Sequence, residues 1–244
     1  MVDVHPEWRE LVEFAYDTLD KDYKDFLKNS IFIPNRSNIF NAFKTLPKSR
    51  VRYILFGQDP YPRAKSAIGY AFIDGAVKKI FSDSGLSKEV NKATSLRNFV
   101  KMALVADGKL SLDNVTQEAI AKIEKIEFIN SIDELRCNFE NSGVLLLNSA
   151  LVFESKNRSR YHIKHWRPFI RTILANMHKD VELILFGQLA KEIKSFPESS
   201  RFFHHILEHP YNHTFISNPK ALKLFAPMQL LKKDRKVLKN LEIK

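Results

Sequence analysis

Val51-Arg52-Tyr53-Ile54-Leu55-Phe56-Gly57-Gln58-Asp59-Pro60-Tyr61-Pro62 decides how the chain folds. Residues 51–56 are an apolar run of strand length, far short of the roughly 20 residues that cross a bilayer. The glycine and two prolines that follow stop the strand and stiffen its turn. A turn braced in this way holds Asp59 and Tyr61 in fixed directions, and catalysis depends on such placement.

Residues 144–147, 182–186 and 203–207 read the same way: short, apolar and ending in small or polar residues, as strands buried on both faces do. Helical stripes separate them. Trp8, Leu11, Val12, Ala15 and Leu19 make an opening helix, and Leu96, Phe99, Val100, Ala103 and Leu104 a second, with Thr94 or Ser95 placed to cap it. Ser131 and Glu134 have capping-box spacing, and Gly143 stands where a helix stop is expected. Phe169, Ile170, Ile173, Leu174 and Met177 give a further helix, and residues 228–241 a last, basic one.

Strand–helix alternation predicts an α/β fold, a three-layer α/β/α sandwich with a central four-stranded, mainly parallel sheet. No linker splits the chain, so a single domain over residues 1–244 is expected. Residues 82–130 read as an elaboration of it, with Val115, Ala119, Ile120, Ile123 and Ile126 on one face of an extra helix. The Ile-Leu-Phe-Gly-Gln of 54–58 returns at 184–188, but nothing around it repeats; two sibling strands ending in glycine turns explain the echo.

Lys plus Arg exceed Asp plus Glu by 39 − 28 = 11, a surplus that attracts polyanions such as nucleic acid or acidic membrane surfaces. No apolar run is long enough for a membrane helix, and no membrane partner is expected. The first ten residues carry Asp3 and Glu7 and no apolar signal core, which predicts an intracellular protein, cytoplasmic in a bacterium. Cys137, the single cysteine, excludes an intramolecular disulfide and cysteine-ligated metal clusters within the chain, and it reads as a buried helical thiol. His205, His209 and His213 have the spacing of metal ligands on a helix, but Pro210 would break that helix; no metal is expected.

In parallel sheets ligands bind beyond the carboxyl ends of the strands. The first run ends in Gln58, Asp59 and Tyr61, and the second in Asn148, whose amide can both donate and accept at the edge of a planar ring. The fourth leads to His209, placed to stabilise a leaving group.

Four pieces, in order along residues 51–231, resemble the family 1 uracil-DNA glycosylases. They are Gly57-Gln58-Asp59-Pro60-Tyr61, Gly69-Tyr70-Ala71-Phe72, the Gly-Val-Leu-Leu-Leu-Asn ending at Asn148, and His209-Pro210, against GQDPY, GLAF, GVLLLN and HP. The first and third are a specific pair at the ends of core strands; an HP dipeptide alone carries nothing. The resemblance implies a DNA-repair enzyme that flips uracil out of DNA and hydrolyses its glycosidic bond without a cofactor. It implies that Asp59 orients water and offsets positive charge on the sugar, and that His209 receives the charge gathering on the base. It further implies that Gln58 lines the pocket floor, Asn148 reads the base edge, Phe72 stacks on the base and Tyr61 excludes the thymine methyl.

The chain also departs from that pattern. After HP the family continues SPLS, whereas this chain reads Tyr211-Asn212-His213-Thr214, so His213 takes the position of the wedge, with Tyr211 or Phe215 as substitutes. Gln188 follows Gly187 where the family has serine, Ser95 alone matches the phosphate-gripping serines, and Pro62 replaces a histidine. Residues 156–167, with Arg158, Arg160 and Lys164 interleaved with aromatics, suit DNA phosphates. The expected partner is uracil-containing DNA and the expected state a monomer, with a protein partner through 82–130 as an addition. Two other readings stay open: a glycosylase for another modified pyrimidine, and a catalytically weak homologue that binds DNA or a partner.

Overall fold

The computed structural model describes residues 3–233. In chain order its helices are α1 (Arg9–Asp17), α2 (Lys21–Asn29), α3 (Lys88–Lys92), α4 (Thr94–Ala106), α5 (Gln117–Ala121), α6 (Ile132–Asn141), α7 (Ser159–Ala175), α8 (Leu189–Lys194) and α9 (Pro219–Phe225). The strands are β1 (Tyr53–Gly57), β2 (Phe81–Ser82), β3 (Gly85–Leu86), β4 (Val144–Asn148), β5 (Glu182–Phe186) and β6 (Phe203–Leu207). They form two compact units, Met1–Gly75 with Glu140–Ile206, and Ala76–Phe139 with Leu207–Lys244.

The first unit holds the sheet, ordered β4-β1-β5-β6, with β1 parallel to both β4 and β5. The four expected strands are all present, but β6 is not buried on both faces as expected: it is an edge strand, with Phe203 65% and Ile206 42% exposed. The architecture is α/β, a sheet flanked by helices. Ile54, Phe56, Leu145, Leu147, Leu183 and Leu185 face Trp8, Val12 and Ala15 at the start of the chain and Ile163, Trp166, Phe169, Ile170 and Ile173 of α7 in one core. Leu55, Leu146 and Ile184, pointing the other way, are equally buried, which is why these strands show continuous apolar runs and not alternation. Each such side chain contributes about 1.5–3 kcal/mol on burial.

Gly143 introduces the sheet. Its φ of +77° is open to glycine, and a Cβ there would meet Arg50 O at 2.7 Å. Its carbonyl accepts from the N–H groups of Arg52 and Tyr53 at 2.8 and 3.0 Å, which starts the β1–β4 ladder. Helix α7 begins at Ser159, well before the apolar stripe that predicts it, and runs through Pro168. An interior proline costs a helix about 3 kcal/mol, a loss that burial of Trp166, Phe169 and Ile170 around it offsets.

In the second unit the capping box forms as expected: Ser131 Oγ accepts from Glu134 N at 3.2 Å, and the Glu134 carboxylate accepts from the N–H groups of Asn130 and Ser131 at 2.9 and 2.8 Å. Other local expectations are corrected. Neither Thr94 nor Ser95 caps α4; Ala93 takes the N-cap position without a side-chain bond, and both hydroxyl residues lie inside the first turn. Helix α5 stops at Ala121, short of the expected stripe; past its end the Lys125 ammonium donates to the carbonyls of Ala121 and Ile123 at 3.0 and 3.2 Å, and Ile126 is left 62% exposed. Cys137 is half-buried, since Ile132, Leu135 and Phe139 form the buried face of α6 and position 137 falls beside it, where Arg136 donates to Sγ at 3.3 Å. The predicted final helix does not form over 229–233, where Gln229 turns to a φ of +48°; its remainder, 234–241, lies outside the described residues. No helix among the described residues is long and apolar enough to cross a membrane.

Candidate active site

In the first unit the carboxyl ends of β1 and β4 lie side by side. Gly57 pairs with Asn148, and the ladder continues past both strands, Ser149 N donating to Gly57 O at 2.8 Å and Ala150 N to Gln58 O at 3.0 Å. The Gln58-Asp59 turn is thereby tied to Asn148-Ser149. Asn148 is only 5% exposed, and its amide makes no hydrogen bond to another described residue. An amide placed at a strand end without a protein partner is available to a ligand, with both a donor and an acceptor to offer.

Residues 69–72 cross the same strand end, Ala71 N donating to Leu146 O at 3.1 Å. Phe72 has a φ of +67°, a left-handed conformation that costs a bulky residue on the order of 1–3 kcal/mol and tends to occur at functional sites. Tyr61 helps to hold it there: its hydroxyl donates to Phe72 O at 3.2 Å, and burial raises the phenol well above its ordinary range. The Phe72 ring lies 6.4 Å from that of Phe186 at the end of β5, and Arg63 pairs with the buried carboxylate of Asp74 at 3.2 Å to close the turn. The structure thus gathers Tyr61, Phe72 and Asn148 around the ends of β1 and β4.

Asp59 is half-buried. Burial raises its carboxyl above the ordinary aspartate value, and hydrogen bonds from Ser159 and Gln58 offset part of that rise. The Ser159 hydroxyl donates to Asp59 Oδ2 and accepts from Gln58 Nε2 at 3.3 Å. Gln58, expected in a pocket floor, is an exposed residue whose amide braces this serine.

The basic stretch becomes a short 3-10 turn and the first turns of α7. Arg158 pairs with Glu154 at 3.2 Å and lies 4.0 Å over the Tyr161 ring, while Arg160 and Lys164 are exposed and make no ion pair among the described residues. Farther along, Arg167 and Arg171 are compensated by Glu192 and Glu198. Gln188 is exposed at the start of α8.

The second unit carries His209. Its Nδ1 accepts from the Tyr211 N–H at 3.1 Å, and burial lowers its pKa below the ordinary histidine value. Both observations describe a neutral imidazole with its proton on Nε2, the form that can act as a hydrogen-bond donor. Asn98 on α4, 1% exposed, holds the following loop by donating to the carbonyls of Pro210, Tyr211 and Asn212 at 2.8, 3.2 and 3.2 Å. Glu208 secures the far side through Thr214 and Asn218. Tyr211 is 66% exposed and His213 is exposed at the start of a 3-10 turn. Phe215 is fully buried against Phe99, which removes it as a substitute wedge. Ser95 lies half-buried in the first turn of α4. The helical spacing of His205, His209 and His213 is not realised, because His205 is on β6 and bonds Glu182.

Ser159 and Asn98 were not anticipated. Ser159 is hidden in a basic run, and only the fold brings it to Asp59 across 100 positions. Asn98 did leave a signal, as a polar residue set among the buried Leu96, Phe99 and Val100.

Fold and site define an α/β protein whose functional side chains stand beyond the carboxyl ends of parallel strands. No protein-family model matches the chain. The crystal structure of the wild-type UNG from Nitratifractor salsuginis superposes with a TM-score of 0.93 and 52% identity, over 95% of this chain and 94% of that one. Curated relatives include the uracil-DNA glycosylase of Fusobacterium nucleatum subsp. nucleatum, 27% identical over 99% of this chain and 94% of its own. That of Francisella tularensis subsp. holarctica is 28% identical over 78% and 76%. The chain belongs to the uracil-DNA glycosylases.

Proposed function

We propose that the protein removes uracil from DNA by hydrolysing its N-glycosidic bond and leaving an abasic site, the activity its family carries in DNA repair. The observation that carries this reading is the buried, unpartnered amide of Asn148 beside the strained Phe72. An amide can accept from the ring N–H and donate to the neighbouring carbonyl of uracil, a pattern that cytosine inverts. Phe72 stacks on the extruded base, and Tyr61, held to the Phe72 carbonyl, fills the space of a 5-methyl group.

As the C1′–N1 bond breaks, its electron pair passes to the base, where the Nε2–H of neutral His209 donates to the oxygen that gathers charge. Water adds to C1′, and the ionised Asp59 orients it, offsets the oxocarbenium charge and takes its proton. Arg160 and Lys164 supply phosphate contacts, with Ser95, Gln188 and Arg158 as further ones, and Tyr211 or His213 enters the duplex gap. The ordered motifs of residues 57–210 support placement in family 1, and the protein acts as an intracellular monomer.

Incubation with single- and double-stranded uracil oligonucleotides, followed by alkaline cleavage, tests this reading. Abasic sites form with the wild type and are lost with Asp59→Asn; no abasic sites from either substrate would reject it. The altered loop at Tyr211 to Thr214 favours one second reading, another modified pyrimidine as substrate, and preference for uracil in a panel of modified bases excludes it.

A further inference from the structure

A pocket carboxylate must be ionised and must aim a particular oxygen, yet burial opposes the first requirement and a free χ2 rotation the second. In this chain both are met from a distance. Ser159 stands at the first position of α7, 7% exposed, and the rigid seventeen-residue helix fixes its hydroxyl. That hydroxyl donates to Asp59 Oδ2, and since its single proton is committed there, Gln58 Nε2 supplies the bond to its lone pair at 3.3 Å. Gln58 and Asp59 are themselves tied to β4 through the backbone. The loop after Asp59 contains no second polar anchor for the carboxylate: Pro60 and Pro62 flank Tyr61, whose hydroxyl is used on Phe72.

We propose that Ser159 is the positioning residue of Asp59: its hydroxyl, oriented by Gln58, occupies Oδ2 and leaves Oδ1 to the attacking water. This rests on the proposed glycosylase reading for its kinetic consequence, but not for the hydrogen bond itself. The arrangement makes Ser159 a partner of the reaction through Asp59 alone, with no contact to base or sugar required. Because a hydrogen bond to the ionised form favours that form, the same contact offsets part of the rise that burial imposes on the carboxyl.

The test is Ser159→Ala, with Ser159→Thr as the hydroxyl-retaining control, each read in two ways. In single-turnover excision of uracil, Ser159→Ala lowers the rate roughly tenfold or more, as loss of a hydrogen bond to a charged group implies, with KM unchanged. Its acid limb moves to higher pH, and Ser159→Thr restores the limb. In an Asp59→Asn background the serine substitution has no further effect on the rate. Independently of any activity, the Asp59 carboxyl carbon followed by NMR titrates at higher pH in Ser159→Ala than in the wild type. An unshifted Asp59 titration, or full additivity of the two substitutions, overturns the proposal. A shifted titration in a protein that releases no uracil leaves Ser159 in its role and rejects the glycosylase reading instead.

Discussion

Asn148 Oδ1 stands 2.1 Å from the place a Cβ on Gly57 would take, and the Ala71 methyl lies 3.0 Å from that place on another side. Glycine at 57 is therefore a requirement of the amide opposite it. Gly57→Ala displaces the Asn148 side chain, and kcat/KM for uracil falls roughly 10–100-fold, the cost of one or two misplaced hydrogen bonds in a buried site. Steady-state kinetics beside a thermal melt separate this from unfolding. Unchanged kinetics in a folded variant would mean that Asn148 does not read the base.

Burial moves Asp59 and His209 in opposite directions, the first above its ordinary 3.8 and the second below its ordinary 6.5. Excision needs Asp59 ionised and His209 neutral. Both conditions fail on the acid side, so the rate falls between those two ordinary values and is level through neutral pH. A single-turnover pH profile measures this, and an acid limb at or above the ordinary histidine value would contradict it.

The raised carboxyl also has a stability consequence. The folded state holds the Asp59 proton more tightly than the unfolded chain does, so this group's stabilising share is present below the ordinary aspartate pKa and is lost as pH rises through the folded value. At neutral pH the ionised group burdens the fold. Asp59→Asn keeps an oxygen for the Ser159 hydroxyl and removes the charge; Tm rises on the order of 2–4 °C, about 1 kcal/mol for a chain of this length, while excision falls about 100–1,000-fold.

How far the sequence prefigured this site depends on what each residue answers to. The strand ends at Gly57 and Asn148 were legible because a doubly buried strand leaves an unbroken apolar run that stops where chemistry begins. Ser159 was illegible because its partner is 100 positions away and its neighbours are all basic. Helix α7 was read only from its apolar second half, since Pro168 and the charged residues before it mask a segment that tertiary burial keeps helical. Phe215 failed as a wedge for the converse reason: its place in the loop fits, but its ring is needed in the core beside Phe99.

Tyr61 has two jobs that two substitutions separate. Tyr61→Phe keeps the ring and loses only the hydroxyl bond to the Phe72 carbonyl, so uracil excision drops about 2–10-fold and thymine stays excluded. Tyr61→Ala also empties the space beside the base, and thymine release from ordinary duplex DNA becomes measurable while the uracil rate falls further. Thymine release by Tyr61→Phe would show that the hydroxyl, and not the ring, guards the pocket.

Charge on α7 is divided between cations that are compensated and cations that are not. Arg171 makes three hydrogen bonds of 2.7 to 3.0 Å to Glu198, whereas Arg160 and Lys164 have no such partner among the described residues. Counterion release follows the phosphates neutralised, so removing a cation that touches DNA lowers the slope of log K against log salt by about one. Arg160→Ala and Lys164→Ala each reduce the slope of uracil-DNA binding by about that amount, and together by about two. Arg171→Ala, which breaks an internal pair, leaves the slope as it was and shows its effect in the melting temperature. Fluorescence anisotropy across a salt series measures all three, and equal slopes for Arg160→Ala and Arg171→Ala would remove the start of α7 from the DNA-binding surface.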